Sequence, residues 1–148
     1  MWKQNKEAEQ NLLLIYLYKF LPMKILVVDD EKDVQMLFVQ RFRKEIKSGE
    51  MQFSFVYSGE EALNFMSNHN HEAVLILSDI NMPGMSGLEL LKRIKQKFEN
   101  PPPVVMMITA YGDEENYQKS LSYGADDFLT KPLDFSLLKE KLKKIEVE

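Results

Sequence analysis

The chain of 148 residues carries 19 Lys+Arg against 23 Asp+Glu, a formal net charge of −4, and is 45% hydrophobic and 28% charged. This is the composition of one soluble globular domain, since a chain of about 150 residues buries roughly two-thirds of its unfolded surface and lacks material for a second core. The absence of cysteine removes disulfide frameworks, thiolate nucleophiles and sulfur-ligated metal sites. A mildly acidic chain without a clustered basic run also lacks the footprint of direct nucleic-acid binding.

Residues 1–22 read as an N-terminal appendage, polar from Lys3 to Asn11 and apolar from Leu12 to Leu21, ended by Pro22. Tyr16, Tyr18 and Lys19 interrupt the apolar part, which falls short of the roughly 20 residues needed to span a bilayer. Glu7 and Glu9 dilute the basic start that an export signal needs, and no small-x-small cleavage site precedes Pro22. A cytoplasmic location is expected. Read as a helix, Leu13, Tyr16, Leu17 and Phe20 form a stripe, while Leu14, Ile15 and Tyr18 spread apolar surface further round. Two readings stand: a docking, dimerisation or membrane-surface element, or an appendage upstream of a start at Met23.

From Met23 strand and helix alternate. Lys24 to Val28 is β-branched, and Val34, Leu37, Phe38, Phe42 and Ile46 then recur at helical spacing. Gln52 to Tyr57 alternates polar and aromatic, and Ser58-Gly59-Glu60-Glu61 is a capping box before Ala62, Leu63 and Met66. Val74 to Leu77 is an apolar run. Ser86-Gly87-Leu88-Glu89 is a second capping box, opening a helix through Leu91 and Ile94 to Phe98. Asn100-Pro101-Pro102-Pro103 stops that helix before the apolar run Val104 to Ile108. A helix from about Gly112 to Tyr123, with Gly124 suited to a left-handed cap, precedes a short strand, Asp127 to Thr130. A last helix runs from Phe135 to about Ile145.

Five strand-helix repeats imply an α/β fold with a doubly wound parallel sheet and helices on both faces. Strands one, three and four are unbroken apolar runs suited to the middle, whereas the alternating second and the short fifth suit the edges. The order 2-1-3-4-5 fits. In such a sheet ligands bind beyond the carboxyl ends of the strands, where the winding reverses between strands one and three.

Strand one ends in Asp29-Asp30, strand three in Asp79, strand four in Thr109 and strand five in Lys131. Three carboxylates gathered in one concavity repel one another unless a cation sits among them. Mg²⁺ suits hard oxygen donors, one or two carboxylates and a phosphate oxygen, better than a calcium cage does. The charges also close: three carboxylates oppose one Mg²⁺ and Lys131.

Lys24-Ile-Leu-Val-Val-Asp-Asp-Glu31, the turn Asp79-Ile-Asn-Met-Pro-Gly-Met-Ser-Gly87, Thr109-Ala110 and Gly124-Ala-Asp-Asp-Phe-Leu-Thr-Lys-Pro132 together resemble the receiver domain of two-component response regulators, of the chemotaxis-regulator-like, flavodoxin-like kind. The resemblance covers residues 23–146. The 49 residues from Asp30 to Asp79 are a few more than usual, and the extra length is placed near Lys44 to Gln52. The resemblance implies that Asp79 accepts a phosphoryl group from a histidine kinase or histidine phosphotransfer protein. It implies Mg²⁺ (or Mn²⁺) held by Asp30 and Asp79 directly, by Asp29 through water and by the Asn81 backbone carbonyl. Lys131 would pair with a phosphoryl oxygen, and Thr109 would donate its hydroxyl after moving inward, with Phe128 rotating in behind it. Phenylalanine there brings no hydroxyl to a partner. Lys131-Pro132 is expected to be cis, which costs only about 0.5–1 kcal/mol for an X–Pro bond. Pro83, Gly84 and Gly87 would shape the loop after Asp79.

The protein is read as a phosphoacceptor rather than an enzyme acting on a second substrate. No output domain fits after residue 148, so it is a stand-alone receiver, acting as a relay shuttle or diffusible regulator, or a fragment. The signal would leave through a protein target on the face of the fourth helix after Met23, the fifth strand and the last helix, including Tyr111, Tyr117 and Phe128. A homodimer is compatible with this, and membrane association is not expected. Rival readings are a non-switching scaffold and a Mg²⁺-dependent aspartyl phosphohydrolase of the haloacid-dehalogenase type, against which Asn81 stands where that class needs a second aspartate. A flavin site is excluded, because Asp29-Asp30-Glu31 would repel a phosphate. His69 and His71 read as a solvated turn and the prolines as a helix stop.

Overall fold

A computed structural model describes residues 2–69, 75–99 and 102–147, with the side chains of 2–4, 15–20, 146 and 147 outside the described set. Val74, His71, Asn100 and Pro101, and the side chains of the Tyr16, Leu17 and Phe20 stripe, lie outside the described residues. The elements in order are α1 (Trp2–Phe20), β1 (Met23–Val28), α2 (Asp33–Arg41), α3 (Arg43–Lys47), β2 (Met51–Val56), α4 (Gly59–Asn68), β3 (Leu75–Asp79), α5 (Gly87–Lys97), β4 (Val104–Thr109), α6 (Glu114–Ser122), β5 (Asp127–Thr130) and α7 (Phe135–Val147). No helix among the described residues is long and apolar enough to cross a membrane. Leu12, Leu13 and Leu14 of α1 are all more than half exposed.

The five strands form one sheet in the order β2-β1-β3-β4-β5, every pair parallel. Strand alternation divides the core in two. On one face Ile25, Val27, Leu75, Leu77, Met106 and Ile108 meet Phe38 and Phe42, and Leu138 and Leu142 of α7. On the other Leu26, Val28, Ile76, Val105 and Met107 meet Ala62 and Met66 of α4 and Leu90, Leu91 and Ile94 of α5. The first face is rich in phenylalanine: Phe38 lies within 5.2–6.1 Å, centroid to centroid, of Phe42, Phe53, Phe55 and Phe135. Arg41 lies over Phe135 and Lys139 over Phe42 at 5.7 and 5.3 Å.

The first helix after β1 departs from its expected form. It breaks at Phe42, whose φ and ψ of −105° and 19° separate α2 from α3. The fully buried Phe42 ring lies 4.8 Å from Phe53, and the turn brings Glu45 and Ile46 inward. Leu37, one place from Phe38 and so about 100° round the helix, is 41% exposed instead of buried. α3 and the Gly49 turn, where φ is +79°, lie beside the start of β2 and away from the strands' carboxyl ends.

Both predicted N-caps form: Ser58 accepts from the Glu61 N–H and Ser86 from the Glu89 N–H. In neither box does the glutamate accept from the N-cap N–H among the described residues: Glu61 Oε2 accepts from the Tyr57 N–H and Glu89 Oε1 from Arg93 Nε. Gly124 caps α6 at φ +94°. His69 stacks on Phe65, its Nδ1 3.0 Å from that residue's carbonyl oxygen.

Glu45 ties α3 to α7. Its Oε1 meets Lys139 Nζ at 3.1 Å, and its buried Oε2 has no hydrogen-bond partner among the described residues. Burial pushes this carboxyl up, but its own backbone N–H and the nearby Lys139 and Lys143 outweigh that and hold it below the ordinary value of 4.5. Its stabilising contribution is therefore complete at neutral pH and lost as pH falls below that value. Lys139→Met should cost about 1 kcal/mol in urea unfolding at pH 7, and the gap from the unaltered protein should narrow as the pH drops below 4.5.

Candidate functional site

The carboxyl ends of β1 and β3, side by side in the sheet, bring Asp29, Asp30 and Asp79 together. One carboxylate oxygen from each lies within 4.8 Å of the other two. Asp29 and Asp79 are buried and Asp30 is exposed. Asp29 and Asp30 share the site because β1 ends at Val28, so the strand alternation that would part them no longer applies. The chain then turns, with the Glu31 N–H donating to Asp29 Oδ1 at 2.9 Å.

Asp79 is 2% exposed. Its Oδ2 accepts from Lys131 Nζ at 2.8 Å and its Oδ1 from the Asn81 backbone N–H at 3.3 Å. Lys131 is carried there by β5: its backbone N–H donates to the Thr109 carbonyl, and its bond to Pro132 is cis, as expected. Thr109 is buried at the end of β4, and among the described residues its hydroxyl is not a partner of Asp79. Phe128 pairs in register with Met107, two residues before Thr109 on the same face. Its half-buried ring packs against Tyr117 of α6 at 4.6 Å.

Burial raises the Asp29 carboxyl above its ordinary 3.8, and the Asp79 charge adds to the rise against the pull of the Glu31 N–H and Lys131. Burial pushes the Lys131 ammonium down, but its bond to Asp79 and the Asp29 and Glu31 charges more than reverse this, leaving it above 10.5. Three acids thus face one lysine. This donor set, hard and oxygen-only with a net negative charge, fits a divalent cation such as Mg²⁺.

The loop from Ile80 to Ser86 is shaped by glycine. Gly84 has φ +76°, and a Cβ on Gly87 would lie 2.0 Å from the Asp79 carbonyl oxygen and 2.8 Å from Ile80 Cα. The Gly87 N–H donates to the Ile80 carbonyl, so α5 begins directly beneath the acid it presents.

The structure brings together Asp29, Asp30, Asp79, Lys131 and the Asn81 N–H, while Thr109 and Phe128 make no hydrogen bond or ring contact with them among the described residues. Gly59, expected only as part of the capping box, also meets that loop, since a Cβ on it would collide with Met85. The available signal was a glycine in the first turn of a helix, where alanine has the higher propensity.

Comparison with known proteins adds to this geometry. The family model described as response regulator receiver domain matches residues 25–143. The chain is 36% identical over 121 residues to sporulation initiation phosphotransferase F of Bacillus subtilis, covering 82% of this chain and 91% of that protein. It is 35% identical over 124 residues to response regulator RppA of Synechocystis, covering 84% of this chain but only 50% of that protein. Among solved structures, a putative response regulator from Chloroflexus aurantiacus aligns with a TM-score of 0.74 at 28% identity, covering 86% of this chain and 99% of that one.

Two outcomes are expected. Asp29→Asn should stabilise the metal-free protein at pH 7 by about 1 kcal/mol in urea unfolding with a chelator present, an advantage that fades as the pH approaches 3.8 and the aspartate protonates. Gly87→Ala should cost about 3 kcal/mol by the same measurement, because the collision is with backbone that side-chain rotation cannot relieve.

Proposed function

The chain belongs to the response regulator receiver domain family, the phosphoacceptors of two-component signalling, and on that premise we propose that Asp79 is its phosphoacceptor. The observation that carries this is the state of the Asp79 carboxylate: buried, fixed by the Asn81 N–H and Lys131, with two further acids beside it. Residues 23–148 would be the receiver domain and residues 1–22 an appendage to it.

Asp29, Asp30 and Asp79, with the Asn81 backbone carbonyl, would hold Mg²⁺ or Mn²⁺, which when bound neutralises charge on the transferring phosphoryl group. An Asp79 oxygen attacks phosphorus as the P–N bond to the donor's imidazolium breaks; the bonding pair stays on that nitrogen, and the imidazole, protonated on its other nitrogen, leaves neutral. Lys131 then exchanges its carboxylate partner for a phosphoryl oxygen. The Thr109 hydroxyl moves in to meet another. Phe128 fills the space vacated, because a close-packed interior loses contact energy around a void.

The donor would be a cytoplasmic histidine kinase or histidine phosphotransfer protein, and the name of the Bacillus relative as a phosphotransferase supports a relay role. The readout surface would be the α6, β5 and α7 face, where Tyr111, Tyr117, Leu121 and Leu137 are exposed and Tyr117 packs against Phe128. A homodimer is compatible with this reading. The chain spans about half the length of RppA, so what any larger protein does with this signal lies in its other parts.

Intact mass after incubation with Mg²⁺ and acetyl phosphate tests the reading. The unaltered protein should gain one phosphoryl group and Asp79→Ala none, with Lys131→Ala gaining it far more slowly. Equal gain by Asp79→Ala, or no gain from any histidine kinase tried with the folded protein, would overturn it.

A further inference from the structure

The short stretch between β2 and α4 supplies no candidate ligand, yet it touches both loops that do. On one side the Val56 carbonyl accepts from the Asp29 N–H at 3.2 Å. The Tyr57 hydroxyl donates to Gln35 Oε1 at 2.7 Å, and Lys32 Nζ lies 5.6 Å from the Tyr57 ring centroid. Lys32 and Gln35 flank the turn that follows Asp29 and Asp30. On the other side Gly59 is buried against Met85, in the loop that carries Asn81. A Cβ on Gly59 would lie 2.7 Å from Met85 Sδ and 3.1 Å from Met85 Cβ. The stretch is itself fixed, with the Tyr57 N–H donating to Glu61 Oε2 at 2.6 Å and the Glu61 N–H to Ser58 Oγ at 3.1 Å.

We propose that Tyr57 and Gly59 are positioning residues for the cation site: as one brace they set the spacing between the Asp29-Asp30 turn and the Asn81 loop. The proposal rests on the reading that this cluster holds Mg²⁺. Mg²⁺ demands near-ideal octahedral geometry at about 2.0–2.1 Å, whereas Ca²⁺ accepts variable numbers of ligands at about 2.3–2.6 Å. A brace that sets spacing therefore matters more for the smaller ion. Loosening it at Tyr57, or pushing Met85 outward with a methyl group at Gly59, should cost Mg²⁺ affinity and largely spare Ca²⁺. A residue that only stabilises the fold would change both affinities alike or neither.

The test is titration of the full chain with MgCl₂ and, separately, CaCl₂, followed through the Asp30 and Asn81 amide resonances, with thermal unfolding measured in parallel. Tyr57→Leu and Gly59→Ala should each weaken Mg²⁺ binding roughly tenfold, the scale on which residues behind metal ligands act, and Ca²⁺ binding by less than about twofold. Tyr57→Phe keeps the ring beneath Lys32, loses the bond to Gln35 and should fall between. Unchanged Mg²⁺ affinity in folded Tyr57→Phe and Gly59→Ala, or equal losses for the two ions, would overturn the brace and leave the metal reading standing. Failure of the unaltered protein to bind Mg²⁺ would overturn the metal reading, and the brace with it.

Discussion

The ion pair between Asp79 and Lys131 is the contact on which the site depends. A buried carboxylate beside two others is unfavourable in isolation, and here one ammonium from the far edge of the sheet offsets it. That ammonium arrives only because β5 lies next to β4 and ends level with it, so that Lys131 leaves the sheet at the Thr109 carbonyl. The strand order and the chemistry are thus one constraint. A sheet with β5 elsewhere would leave Asp79 without its partner. Net negative charge persists around the pair, and that residue of charge makes the pocket selective for a cation.

The fold was legible because its signals were of the strongest kind. Unbroken apolar runs at β1, β3 and β4 and capping serines at Ser58 and Ser86 specify buried parallel strands and helix starts locally. The misplacements came where tertiary contacts outvoted local pattern. The apolar spacing from Val34 to Ile46 is continuous, but the pull of Phe53 on the Phe42 ring decided for a break. Glu89 carries the capping-box residue type, yet Arg93 one turn on competed for its carboxylate.

The candidate site was legible where charged side chains sit at strand ends and illegible in the loops behind them. Asp29, Asp30, Asp79, Thr109 and Lys131 sit at strand ends, where position alone makes a charge meaningful. Tyr57 and Met85 belong to residue types that fill cores everywhere. Only the distances from Tyr57 to Gln35 and from Gly59 to Met85 distinguish them, and those distances depend on how three loops meet.

The phenylalanine cluster divides the aromatic packing of the sheet unequally. Phe38, Phe42, Phe53, Phe55 and Phe135 knit α2, β2 and α7 through mutually tilted and stacked rings, with Arg41 and Lys139 closing them over. Beyond β4 the sheet ends in a four-residue strand, and among the described residues the ring pair there is Phe128 with the partly exposed Tyr117. The α6 and β5 side, proposed above for readout, thus lies away from the ring cluster that joins α2, β2 and α7.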